Sequence, residues 1–222
     1  MLNQLIKASG AVSGVVSIVT ESSDGLLVML SGHHQHRDVV FCAPVWLPRA
    51  LLVGKPLANE QVIRVSGALR FAPYEPFQPQ LRLVLEADSL TPKTVGIKKI
   101  IGSRKTHTAK AFGVYLEDAT NICVVDTVQV EDLCNEQLTG IGTLVIFKML
   151  GLGGTVHCVD PLPYELNKVP LLATVGIEGM LTSEPCRNSQ FPISYLVSSR
   201  IEPLGLTREM KEANSVEDLV PA

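Results

Sequence analysis

The chain states one pattern twice. Residues 62–92, VIRVSGALRFAPYEPFQPQLRLVLEADSLTP, are echoed by 173–203, ATVGIEGMLTSEPCRNSQFPISYLVSSRIEP. Each stretch alternates as a strand does, passes a glycine followed by small and apolar residues (Gly67-Ala68-Leu69, Gly179-Met180-Leu181), enters a proline-containing loop, and returns along a second strand to a closing proline. The span from that glycine to the last proline is 25 residues in the first and 24 in the second. Upstream, VVFCAP at 39–44 resembles TVHCVDP at 155–161, so Cys42 and Cys158 fall at matching places. A repeat of this size fixes architecture before any single residue is interpreted: two related units of about 100 residues are expected in a chain of 222. Shared strand grammar alone also makes short β-patterns resemble one another, and that reading stands beside duplication.

Strand signals dominate both halves. In the first, alternation and turn residues predict strands over 11–20, 25–31, 38–43, 61–69 and 80–90, with a tight turn at Asp24-Gly25 and a hydrophilic tip at 32–37. The prolines of 44–60 leave room for no more than a short helical turn around Trp46 to Leu52. In the second, strands are expected over 119–130, 142–150, 154–159, 173–181 and 192–203, with 131–139 as a helical turn or wide loop and 112–116 extending or replacing the first strand. Five strands with the main insertion between third and fourth is the layout of the OB-fold, a small Greek-key barrel. The expected class is therefore all-β, two tandem OB-fold-like five-stranded Greek-key barrels: 1–92, a basic linker at 93–110, 111–205, and a polar, acidic-apolar tail at 206–222.

Charge is distributed unevenly. Residues 1–92 are neutral overall, 93–110 carry six basic side chains and no acid, and 111–222 carry a net charge of -9. Polarity of this kind along a chain means a partner of one sign, or one half that has specialised away from it. Hydrophobic residues at 46% supply enough apolar surface for packed cores. No apolar run reaches the ~20 residues of a membrane-spanning helix, and the N-terminus lacks a secretory pattern, so no membrane partner and a cytoplasmic address are expected. Five cysteines at irregular spacing, with no CxxC, read as buried thiols rather than a disulfide framework or a nucleophile. His33, His34 and His36 have no completing Cys or carboxylate in sequence, and a solvated tip explains them better than zinc. No catalytic signature is present, and Gly102-Ser103-Arg104-Lys105-Thr106 has the wrong spacing for a phosphate loop. The expectation is a non-enzyme with no cofactor and no metal.

The strand carrying Val65-Ser66-Gly67-Ala68-Leu69, the long loop after it, and the strand ending in Ala87-Asp88-Ser89-Leu90 resemble the last two strands of bacterial single-stranded DNA-binding proteins and of the related primosomal protein PriB. The likeness is good over 11–92 and faint over 119–203. It implies an OB-fold binder of single strands, assembled as dimers or tetramers, with a role in replication, repair or mobile-element maintenance. RNA remains an alternative ligand. It also implies a mechanism in which bases stack on aromatic rings and phosphates pair with cations. The residues suited to that work are Trp46, Arg49, Arg64, Arg70, Phe71, Tyr74, Phe77 and Arg82, where two-residue periodicity sets Arg64 and Arg70 on one side of their strand. Lys98, Lys99, Arg104 and Lys105 of the basic stretch could track a phosphate backbone, although a solvated linker has the same composition, and Val95, Ile97, Ile100 and Ile101 could let part of it pack as a strand.

The family's C-terminal tip, an acidic run ending in Pro-Phe that recruits replication and repair proteins, is incomplete here. Glu217-Asp218-Leu219-Val220-Pro221-Ala222 keeps the acids and the proline but not the aromatic anchor. The second copy's loop, 182–190, has Glu184 and a lone Arg187, which argues for an assembly role in that half. The competing expectation for the whole chain is a protein-interaction or structural module that forms oligomers without binding nucleic acid.

Overall fold

The computed structural model describes residues 8–54, 56–72, 82–93, 98–105, 110–134, 144–149, 154–159, 174–184 and 193–205. Among the described residues twelve strands are formed: β1 (Ala8–Glu21), β2 (Gly25–His34), β3 (Val39–Pro48), β4 (Val62–Ala72), β5 (Arg82–Pro92), β6 (Lys98–Lys105), β7 (Lys110–Tyr115), β8 (Asn121–Cys134), β9 (Leu144–Met149), β10 (Gly154–Val159), β11 (Thr174–Glu184) and β12 (Ile193–Gly205). One helical turn, α1 (Arg49–Leu52), follows β3. The protein is all-β.

β1 pairs with β2, β2 with β3, β3 with β5, β5 with β4, and β4 again with β1, so the pairings return to the strand where they began. The same sequence of pairings runs β8, β9, β10, β12, β11 and back to β8. Within each set the link between third and fifth members is parallel and the others are antiparallel. The hairpins β4–β5 and β11–β12 also slip register at corresponding points, between Ser66 and Gly67 and between Glu178 and Gly179. Gly67 is required there, because a Cβ would run into the Glu86 carbonyl oxygen across the bulge.

Alternation explains the strands. On β4, Ile63, Val65, Gly67 and Leu69 are buried while Arg64 and Arg70 are exposed. The inner residues join one hydrophobic core that crosses both strand sets, from Val12, Val28, Val45 and Leu85 in the first to Val125, Ile177, Leu181 and Leu196 in the second. Burying each such side chain contributes ~1.5–3 kcal/mol.

The two sets are joined through β1. Ala8 to Val12 pair with Asn121 to Val125 of β8 on one edge, while Ser9 to Val15 pair with β4 on the other. Gly10 pairs with Gly67 of β4, Cys123 pairs with Gly179 of β11, and Gly10 and Cys123 pair with each other. A Cβ on Gly10 would lie 2.7 Å from the Cys123 sulfur. Further bonds cross the junction: Ser13 exchanges bonds with Thr120, its N–H donating to the Thr120 carbonyl (2.8 Å) and its Oγ accepting from the Thr120 N–H (2.8 Å). The Cys42 N–H donates to Thr182 Oγ1 (3.2 Å), and Ser183 Oγ donates to the Cys42 carbonyl (2.9 Å). Inside the second set, the buried Asn121 amide donates to the Leu181 carbonyl (2.8 Å) and accepts from the Leu181 N–H (3.0 Å), imitating a strand partner.

The basic stretch, read as a linker of which part could pack as a strand, carries β6, which pairs with β7, the segment expected to extend or replace the first strand of the second half. Two local expectations change. β8 continues as strand to Cys134, where a helical turn or loop was expected. His33 belongs to no solvated tip: it is 5% exposed, its ring lies 6.1 Å from that of Tyr115, and its Nε2 is 3.0 Å from Asp38 Oδ1. It turns inward because Leu116 and Ala119 bond to the β2 backbone at Ser31 and His33 and cover that end of the strand. The tail at 206–222 lies outside the described residues.

Asn121→Leu strands the Leu181 N–H and carbonyl, at about 1–3 kcal/mol for each group. In urea unfolding, the fluorescence midpoint of Trp46, the sole tryptophan, is expected to fall together with the circular-dichroism midpoint. A Trp46 transition that stays in place would mean that the two strand sets unfold separately. The thiols give a second check. Burial pushes Cys123 up to about 12 and also raises Cys42, against the lowering effect of hydrogen bonds from Ser31 and Ser183. Both are therefore protonated at pH 8, and mass spectrometry after iodoacetamide treatment is expected to find them unmodified in the folded protein and alkylated in urea.

Candidate nucleic-acid interface

Register brings the sequence-selected residues to different places. Val28, Val45 and Leu85 point into the core with no measurable exposure, so their neighbours Leu27, Trp46 and Glu86 point outward. Leu27 is the cross-strand partner of Trp46 on β2, and Glu86 is its partner on β5. Met29, two residues along β2 from Leu27, lies on that outer side, partly exposed like Leu27 and Trp46. The outcome is a partly exposed apolar stripe with an indole in its centre. Such a surface stacks planar rings.

The cations are arranged around it. Arg70 lies on the outer side of β4 with its Nε 2.7 Å from Glu86 Oε2, the side chains being 60% and 37% exposed. Indole, carboxylate and guanidinium thus succeed one another across β3, β5 and β4. Arg64 is exposed further along β4, opposite Ser13 and Thr91, and no carboxylate among the described residues pairs with it. Between the two arginines, Ser66 Oγ lies 2.6 Å from Ser89 Oγ and 3.4 Å from Asp88 Oδ1.

Arg49 is tied into the fold by backbone and side chain. Its backbone N–H donates to the Asp24 carbonyl (2.7 Å), and its guanidinium donates to the Ser22 carbonyl (2.8 Å) and pairs with Glu21 (3.1 Å). It fastens α1 to the β1–β2 turn. Phe71 is opposite Leu83 and Arg82 opposite Ala72 at the end of the β4–β5 hairpin, with side chains outside the described part of the structure. Tyr74 and Phe77 lie outside the described residues altogether. Lys98, Lys99, Arg104 and Lys105 sit on β6, opposite Tyr115, Val114, Ala111 and Lys110 respectively. The β6–β7 hairpin packs beside β2 and β3, with Leu116 bridged to Gly32, so the basic segment is attached to the half that carries Trp46.

Sequence reasoning missed Leu27, Met29 and Glu86. The first two were legible: a tight turn at Gly25 fixes the β2–β3 frame only indirectly, but alternation from buried Val28 puts both outside. Glu86 was not, because its approach to Arg70 depends on the bulge at Ser66 and Gly67.

No family model matches the chain, and no curated protein sequence matches it. Among solved structures it is similar to the wild-type single-stranded DNA binding protein from Thermus aquaticus, at a TM-score of 0.60 and 13% identity, covering 91% of this chain and 95% of that one. A deletion variant of the same protein aligns with a TM-score of 0.55 and 13% identity, over 91% of this chain and 96% of that chain. Over that length this protein has the fold of the Thermus aquaticus single-stranded DNA binding protein.

Proposed function

We propose that the chain is a non-enzymatic protein that binds single-stranded nucleic acid, DNA in particular, on the outer face of β2, β3, β5 and β4. The observation that carries this reading is the position of Trp46, partly exposed beside Leu27 and separated from Arg70 by Glu86, on strands whose fold is that of a single-stranded DNA binding protein. Bases stack on Trp46, with Phe71, Tyr74 and Phe77 of the neighbouring hairpin as further aromatic contacts. Phosphates pair with Arg64, Arg70, Arg82 and the β6 cations Lys98, Lys99, Arg104 and Lys105. Arg49 contributes by holding the β1–β2 turn.

The architecture proposed is a tandem of two OB-like barrels. It is supported by the identical order of pairings in the two strand sets and by the matching bulges at Gly67 and Gly179. In this frame Gly10 and Cys123 are equivalent positions that meet across β1 and β8, as two copies of one strand would about a two-fold axis. The acidic second barrel serves assembly, and self-association completes the protein. Replication, repair or mobile-element maintenance is the setting in which such a binder acts.

Titrating an oligothymidylate into the protein at two salt concentrations is expected to quench Trp46 and to give affinity that falls with salt, by a log–log slope of about -0.7 for each phosphate neutralised. Trp46→Ala is expected to cost ~1–3 kcal/mol of binding, read with a labelled oligonucleotide. Absence of binding at low salt, together with a stable oligomer, would instead support the protein-interaction module.

A further inference from the structure

We infer that Glu86 is an attenuator of nucleic-acid binding: it holds Arg70 until a phosphate takes its place. The inference rests on the outer-face binding reading above and concerns how tightly that face holds a strand.

Glu86 lies between the two groups a strand would use. It is the register partner of Trp46 on one side and the ion-pair partner of Arg70, at 2.7 Å, on the other. Nothing in the fold requires a carboxylate there. The side chain is 37% exposed, the core beneath it is made by Leu85 and Ala87, and its ion pair is open to water on both members. Exposed ion pairs of this kind contribute little to stability. The same pair has two consequences for an approaching polyanion. It occupies the Arg70 guanidinium, and it sets a negative charge beside the stacking ring. A phosphate that reaches Arg70 replaces a carboxylate already bound, so the gain is a difference between two similar charge-assisted contacts. Binding by this face is weaker, and release faster, than the indole and arginines alone would give.

Asp88 provides the internal control. It is also acidic and exposed on β5, but it accepts from the Ser66 hydroxyl (3.4 Å) rather than pairing with an arginine. An effect of net charge alone would be shared by both carboxylates. An effect of releasing Arg70 belongs to Glu86.

The test is a titration of labelled oligothymidylate against the full chain and its Glu86→Gln, Asp88→Asn, Arg70→Gln, Trp46→Ala and Arg70→Gln/Glu86→Gln variants, with urea midpoints checked for each. Glu86→Gln is expected to bind about three- to tenfold tighter, with a salt slope steeper by about 0.7, the increment for one additional phosphate. Asp88→Asn is expected to gain less than half of that, and removing Arg70 to erase most of the Glu86→Gln gain. Equal gains from Glu86→Gln and Asp88→Asn, or a gain that survives loss of Arg70, would overturn the exchange. Unchanged or weaker binding by Glu86→Gln, while Trp46→Ala still loses affinity, would overturn the attenuator and leave the binding face standing. No binding by the unmodified chain would remove both.

Discussion

Everything in this protein hangs on β1 having partners on both edges. A strand exposes N–H and carbonyl groups to either side, and an uncovered edge invites other chains. Here Ser9 to Val12 are satisfied by β4 on one side and β8 on the other. Further on, β1 pairs with β2, and where β4 ends the β3–β4 connection takes over: Val16 bonds Gln61 and Glu60, and the Ile18 N–H donates to Asn59 Oδ1 at 2.7 Å. The consequence is one sheet and one core shared by two strand sets. Gly10 makes this sharing sterically feasible, since any larger residue would press on Cys123 and on Leu85 beneath it.

That shared strand also determines what the outer surface can present. With β1 committed to the junction, and with Thr182 and Ser183 of β11 docked on the β3 backbone at Cys42, the outer face of the first set presents Leu27, Trp46 and Glu86 in the part beyond Cys42. Trp46, Leu27 and the Arg70–Glu86 pair therefore meet at one end of that face, while Arg64 lies further along β4 and Asp88 contacts the Ser66 hydroxyl. In the proposed site charge matters as much as the indole, because Arg70 is already paired and Arg64 has no carboxylate partner among the described residues.

A good part of this was legible in the sequence. Alternation around Val65 and Leu69 gave the direction of Arg64 and Arg70, and the paired Gly67 and Gly179 motifs anticipated hairpins whose bulges coincide. What local pattern did not show has specific physical causes. The contacts of Arg49 were not legible because composition does not reveal that the β1–β2 turn lies within reach of α1 and offers Glu21 and two carbonyls. His33 looked solvated because its cover, Tyr115 and Leu116, comes from more than 80 residues downstream. A strand in the basic stretch was legible in Ile100 and Ile101, but its pairing with β7 was not. Each of these depends on tertiary contact, and local pattern is blind to it.

The central claim is that the two strand sets do unequal work, the first binding a strand of nucleic acid and the second supporting assembly. Amide hydrogen exchange of the full chain with and without a saturating oligothymidylate tests it most directly. The account predicts slowed exchange in β2, β3 and the β4–β5 hairpin, with β9, β10 and β12 unchanged. Protection centred on β9, β10 and β12, with none in β2 or β3, would contradict it.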